Sequence, residues 1–178
     1  MRKSGKGFIV GKIVETEAYI GAHDPASHAY GRITPRNETL YMEGGICYVY
    51  FIYGNYYCVN TVTGRDGEGS GVLIRAVEPV LGLEKMKIRR PLAKNIHDLT
   101  NGPGKLCIAM DIDKQLNRTD ITKVNKIFVS RPVKKEKFDI AVSKRIGIGS
   151  EYAADFPYRF FVKDNPFVTK HKFNKEII

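Results

Sequence analysis

No run of apolar residues in this chain approaches the roughly 20 that a membrane-spanning helix needs. The opening residues 1–7 carry the basic character of a secretory leader, but no long apolar segment follows them, which predicts a cytoplasmic chain. Cysteine is scarce. Cys47, Cys58 and Cys107 are odd in number and scattered, and two of them fall in apolar strand patterns, so reduced, buried thiols are expected rather than a disulfide framework. No two cysteines have C-x-x-C spacing, and His23 and His28 stand five apart rather than at i, i+4, which leaves no zinc motif and predicts no metal. A nucleophile elbow of the G-x-S-x-G type is missing, and so is the Walker A spacing. There is no internal repeat and no low-complexity tract. Acidic residues are in short supply, 19 against 29 Lys and Arg, for a net charge of +10 and a pI near 9.5. That imbalance favours a polyanionic partner: DNA, RNA or an anionic membrane surface. At 178 residues and 43% hydrophobic content the chain suits one domain with a real core.

Against those absences stands one dense stretch, I-C-Y-V-Y-F-I-Y-G-N-Y-Y-C-V-N over residues 46–60. Two β-rich arms meet at Gly54-Asn55, a pair that accepts positive φ and reads as a two-residue hairpin turn. Alternation along the first arm puts Tyr48 and Tyr50 on one face and Tyr53 on the other, at the tip. Two readings stand open: an aromatic-rich core hairpin, or a tip residue placed to wedge into a base stack.

Upstream, residues 8–20 read as one long strand or two, with a bend or bulge at Gly11. Ile13, Glu15, Glu17 and Tyr19 share one face, which is either a site wall or a solvated strand face. Asp24-Pro25 reads as a helix start that carries His28 near the end of a first turn. Thr34-Pro35-Arg36-Asn37 repeats the device and opens a short helix towards Met42. Residues 64–71 form a connection between strands. Residues 72–77 are apolar except at Arg75, a charge that needs an acceptor: Glu15 or Glu17 on one reading, Glu78 on the other. Glu78-Pro79 reads as the start of a helix running to about Arg90. Residues 101–105 turn into a helix whose N-terminus could meet a phosphate. Residues 127–129 and 159–163 read as further strands, and Lys134, Lys135, Lys137, Lys144 and Arg145 form a basic tract that reads as a solvated face or a polyanion contact.

These residues, taken together, resemble a known family. E-T-E-A-Y (15–19), His28, T-P-R-N (34–37), Y-V-Y-x-x-Y-G (48–54), Asn60, R-A-x-E-P (75–79), N-G-P-x-K-L-C (101–107) and R-F-F-V-K-x-N-P-x-V (159–168) stand in the order of the alkyladenine, or 3-methyladenine, DNA glycosylases. The resemblance covers nearly the whole chain. One departure is that family members begin with an extra helical segment ahead of the first strand, whereas here Met1 lies almost at that strand. The resemblance implies an α+β fold: a single glycosylase domain over 1–178, built on a curved, mainly antiparallel sheet with a protruding hairpin and short helices. It implies a monomeric, cofactor-free hydrolase acting on damaged double-stranded DNA, with no membrane role. The reaction it implies is monofunctional: a damaged purine is flipped out and its N-glycosidic bond hydrolysed, leaving an abasic site. Site roles carried over in the same way make Glu17 the general base and Arg75 its partner. Tyr19, His28 and Tyr50 become the walls around the extruded base, Asn60 the pocket floor and Tyr53 the intercalating wedge. A binding module without catalysis, or a glycosidase acting on nucleosides or sugars, are the competing readings. Glu17 separates the first, since a pure binder has no use for a carboxylate beside anionic DNA; the charge excess speaks against the second.

Overall fold

Residues 7–20 are rich in β-branched side chains, with polar residues interspersed at period two, a pattern that suits a strand covered by core. In the computed structural model they form β2 (Gly7–Ile20), the spine of the sheet. The structure describes residues 1–52, 54, 56–149 and 155–178. β1 (Arg2–Ser4) folds back on the start of β2. After it come β3 (Cys47–Ile52), β4 (Tyr56–Thr63), β5 (Ser70–Leu81), β6 (Ile140–Ser143) and β7 (Arg159–Val162). Neighbours run β3-β4-β5-β2-β7-β6, every pairing antiparallel, with β1 attached to β2 off that path. Among the described residues the α-helices are α1 (Leu83–Arg89) and α2 (Pro103–Met110). This is the α+β architecture, built on a mainly antiparallel sheet, that the resemblance implied.

Alternation assigns the two faces of the sheet. Cys47 and Val49 of β3 and Val59 of β4 pack with Met86 of α1 and Leu106, Cys107 and Met110 of α2, so the helices cover one face. Tyr48 of β3 and Val62 of β4 turn the other way and meet Leu40 and Ala29. The face that carries Tyr48 and Tyr50 therefore turns away from the core packed under α1 and α2.

Two irregularities mark the pairing of β2 with β5. The bend expected at Gly11 is present: the register slips between Val10 and Gly11, and a Cβ at Gly11 would lie 2.7 Å from Cγ2 of Val77. Further along, Ile13 stands opposite Val77, Glu15 opposite Ala76 and Thr16 opposite Ile74, so the ladder skips Val14 and Arg75. Bulges re-aim side chains, and this one turns Arg75 towards the carboxylates of β2.

Three expectations are corrected. Glu78-Pro79 does not start a helix: β5 continues to Leu81 and α1 begins after Gly82. Pro79 stands opposite Gly11 at the first register slip, a strand position that accepts proline. Asp24-Pro25 opens a turn, not a helix, because the Asp24 carboxylate is taken up by Arg145 in addition to the backbone N–H of Ala26. Residues 127–129 are not a strand, since only Ile127 bridges, to Arg2. Ile52 and Tyr56 pair across the β3–β4 hairpin, and the two-residue turn expected at Gly54-Asn55 falls partly outside the described residues. Tyr53 and Asn55 lie outside the described residues, and with them the wedge assignment. The Thr34–Asn37 device does lead into a short helix, of the 3-10 kind, over Glu38–Tyr41.

Candidate active site

The acidic strand E-T-E-A-Y forms because β2 is held on both sides, by β5 and by β7. Glu15 and Glu17 are consequently 1% and 0% exposed, which rules out the solvated-face reading. Both carboxylates meet Arg75, whose Nε donates to Glu15 Oε1 and whose Nη1 donates to Glu17 Oε2, each at 3.2 Å. Glu15 also accepts from Arg159 Nε at 2.6 Å and from the Thr169 N–H at 2.8 Å. Glu17 has a different shell. Its Oε1 accepts from the Ile146 N–H at 2.7 Å, and its Oε2 accepts from the Tyr19 hydroxyl at 3.0 Å.

These shells push two neighbouring carboxylates in opposite directions. For Glu15 burial alone would raise the pKa, but the guanidinium groups of Arg75 and Arg159 outweigh it and hold the pKa below the ordinary glutamate value. For Glu17 burial wins over Arg75, the Ile146 N–H and Tyr19, and the pKa is raised. Opposed shifts of this kind divide roles: one carboxylate fixed as an anion, the other suited to proton transfer. Burial, reinforced by the Glu17 charge, keeps the Tyr19 hydroxyl protonated and able to donate.

Above the carboxylates, on the face that carries Tyr48 and Tyr50, lies a cavity of about 360 Å³, a volume suited to a small ligand. Tyr19, His28, Tyr50, Asn60 and Arg75 all line it, so the structure gathers five predicted residues around one space. Glu17 lies directly behind the wall, bonded to Tyr19, Arg75 and Ile146, each of which lines the cavity. Tyr50 and His28 meet edge to face with centroids 4.5 Å apart, and Tyr48 backs Tyr50 at 5.2 Å. The Tyr48 hydroxyl donates to the Arg36 carbonyl at 3.2 Å, so it accepts from Nδ1 of His28 at 3.0 Å. That assignment leaves Nε2 as the imidazole's acceptor. Burial, helped by Arg36, lowers the His28 pKa and keeps the ring neutral. Asn37 of the T-P-R-N motif holds this wall from behind, donating to the His28 carbonyl at 2.7 Å. Asn60 is fixed by its own donation to the Tyr48 carbonyl at 3.2 Å.

A polar group aimed into an aromatic cavity beside a buried, raised-pKa carboxylate fits hydrolysis on a flat, stackable substrate. Comparison with known proteins decides the family. The profile of the family described as methylpurine-DNA glycosylase (MPG) matches residues 1–166. The chain belongs to the methylpurine-DNA glycosylase family. A relative from Clostridium tetani, named "Putative 3-methyladenine DNA glycosylase", is 50% identical over 169 residues, covering 90% of this chain and 83% of its own. Relatives of the same name from Clostridium botulinum (strain Alaska E43) and Alkaliphilus oremlandii are 47% and 46% identical, covering 90% and 89% of this chain and 83% and 82% of their own. Family membership carries the reaction class: a DNA glycosylase of base excision repair, a hydrolase. No helix among the described residues is long and apolar enough to cross a membrane.

Other residues of this glycosylase's site were not legible beforehand. Arg159 and Arg145 are buried, at 0% and 1% exposure; Arg159 opens a strand and a motif of the resemblance that gave it no role, and Arg145 sits in a basic tract. Arg145 pairs with Asp24 through both terminal guanidinium nitrogens. Cys58 lines the cavity, and its alternation with Asn60 along β4 is the one signal that could have placed it there.

Proposed function

We propose that this glycosylase excises alkylated and deaminated purines, of the 3-methyladenine and hypoxanthine type, from duplex DNA and leaves an abasic site. The observation that carries the reading is Glu17: a buried carboxylate of raised pKa, bonded to Arg75 and backing an aromatic cavity large enough for one base. A stacked base is out of reach of such a group, so the nucleotide has to leave the helix. Flipping costs a few kcal/mol. Stacking returns about 1–3 kcal/mol per base–aromatic contact, so Tyr19 and Tyr50, with Tyr53 filling the vacated stack, offset the flip. A cationic alkylated purine gains further from cation–π attraction. Asn60, at the end of the aromatic wall, screens the base edge against normal purines.

In the chemical step water adds to the anomeric carbon as the N-glycosidic bond breaks. The purine leaves with the bonding pair; for a cationic alkylated base that departure neutralises its charge, and a neutral base such as hypoxanthine leaves as its anion and takes up the proton that the water gives to Glu17. Glu17 takes the proton from the water, and its raised pKa makes it a stronger base than an ordinary glutamate. Arg75, shared between Glu15 and Glu17, holds the carboxylate in place and balances its charge. No metal or cofactor enters this scheme. The net charge of +10 supplies sequence-independent phosphate contacts to a monomer working on the chromosome in the cytoplasm. The test is release of 3-methyladenine and hypoxanthine from defined duplexes by the purified chain. Free base together with an alkali-labile abasic site, and no strand cleavage by the protein itself, is the expected result. Strand cleavage, or no release of either base, would contradict it.

A further inference from the structure

The catalytic scheme does not use Asp24 and Arg145, yet they are 1% exposed each and form a two-pronged buried ion pair across 121 residues of chain. Nη2 of Arg145 donates to Asp24 Oδ1 at 2.8 Å, and Nη1 donates both to Oδ2 and to the carbonyl of Ala18, the latter at 3.0 Å. Ala18 lies between Glu17 and Tyr19 in β2. The guanidinium carbon stands 4.6 Å from the centroid of the Tyr19 ring, while Arg145 itself does not line the cavity. Tyr19 therefore has a cation on one side and the base site on the other. The residue after Arg145 is Ile146, whose N–H holds Glu17 at 2.7 Å. At the other end of the pair, Asp24 accepts from the N–H groups of Ile20 and Ala26, at 3.2 and 3.1 Å, and so fixes the loop that leads to His28.

We propose that the Arg145–Asp24 pair is a positioning device that sets the Tyr19 wall, the His28 loop and the Ile146 N–H against Glu17 from a single buried point. This rests on the reading of Glu17 as base and Tyr19 as wall. A buried pair is weak support for stability, because desolvating two ions offsets much of their attraction. Holding several parts of the site in register is a better account of the pair, since a displacement of about 1 Å costs a reaction about 100-fold.

Two full-length variants test it: Arg145→Lys, which keeps the charge but loses the fork, and the neutral double variant Asp24→Asn with Arg145→Gln, which keeps hydrogen bonding without burying a lone charge. Single-turnover excision of hypoxanthine from a duplex is followed across pH at saturating protein, beside a melting curve and affinity for undamaged duplex. Glu17 is faced by Arg75 from β5, by Glu15 and Tyr19 from its own strand, by Arg159 opposite it on β7, and by the Ile146 N–H, with Arg145 and Cys58 nearby. The Ile146 N–H favours the ionised carboxylate, so loosening it moves the acid limb of the rate profile to higher pH.

The expected result is a cooperatively melting protein with undamaged-duplex affinity within about two-fold, a rate at saturation lowered about 10- to 100-fold, and an acid limb displaced upward. A rate within two-fold of the unmodified chain, or a loss that follows only the unfolded fraction with the acid limb unmoved, overturns the proposal, as does failure of both variants to fold. Inactivity of the unmodified chain would instead strike at the glycosylase reading on which it stands.

Discussion

Replacing Glu15 by Gln probes the buried charge network without touching the base itself. Glu15 joins two arginines, Arg75 at 3.2 Å and Arg159 at 2.6 Å, and its second oxygen accepts the Thr169 N–H at 2.8 Å. Counting Glu17, the network holds two carboxylates and two guanidinium groups, all under 10% exposed. The amide keeps the shape but leaves one positive charge uncompensated, and its NH2 faces either the Thr169 N–H or the arginines. Removing one partner of a buried ion pair costs about 3–5 kcal/mol, against a total stability of about 5–15 kcal/mol for a typical domain. Urea unfolding read by circular dichroism, with linear extrapolation to water, measures the loss. The pH dependence has a definite sign. Glu15 has a depressed pKa when folded, so its contribution is present above the unfolded value and is lost as pH falls through the folded one. The stability gap between the two proteins should narrow on acidification below the ordinary glutamate range. A loss under about 1 kcal/mol at neutral pH, or a gap that widens in acid, would refute the network account. Removing the Glu15 charge also takes away one influence that raises the Glu17 pKa, so the acid limb of excision in this variant should move down.

Asn60→Ala should relax discrimination, raising excision of normal purines relative to hypoxanthine in a competition between duplexes; an unchanged ratio would return Asn60 to a core role. Binding to undamaged duplex should weaken at least roughly 100-fold between about 50 and about 200 mM salt in a fluorescence anisotropy titration, as phosphate contacts release counterions. A flat dependence would make the +10 charge a solvated surface. Tyr53→Ser should leave the melting temperature within the small range of surface changes while lowering excision of paired hypoxanthine more than of mismatched hypoxanthine. A large loss of melting temperature with no difference between the two substrates would place Tyr53 in the core.

The parts of the site that lie close together in sequence were legible before the structure. Glu15, Glu17 and Tyr19 share a strand face, Tyr48 and Tyr50 share another, and an arginine stranded in an apolar strand had to find a carboxylate. Strand period and the cost of a buried charge are local arguments, and they held. The burial of Arg145 and Arg159 was not legible, because their acidic partners lie 121 and 144 residues away and nothing local marks an arginine in a basic tract or at a strand end as buried. Pro79 misled for a related reason. Proline next to a charged residue is a good helix start on local grounds, and only the slipped register opposite Gly11 lets it sit in a strand. Asp24 looked like a helix cap until its carboxylate proved to be taken by Arg145. Long-range pairing, rather than propensity, decided each of these.

The account stands on Glu17 acting as the base, and Glu17→Gln addresses that directly. The substitution preserves the outline of the side chain and can still accept from Arg75, but it cannot take a proton from water. Single-turnover excision of hypoxanthine at saturating protein should fall at least ~100-fold, while affinity for the lesion-containing duplex stays close to that of the unmodified chain. Excision at a near-unmodified rate by a protein that still binds the lesion would show that another group takes the proton, and the mechanism would be wrong.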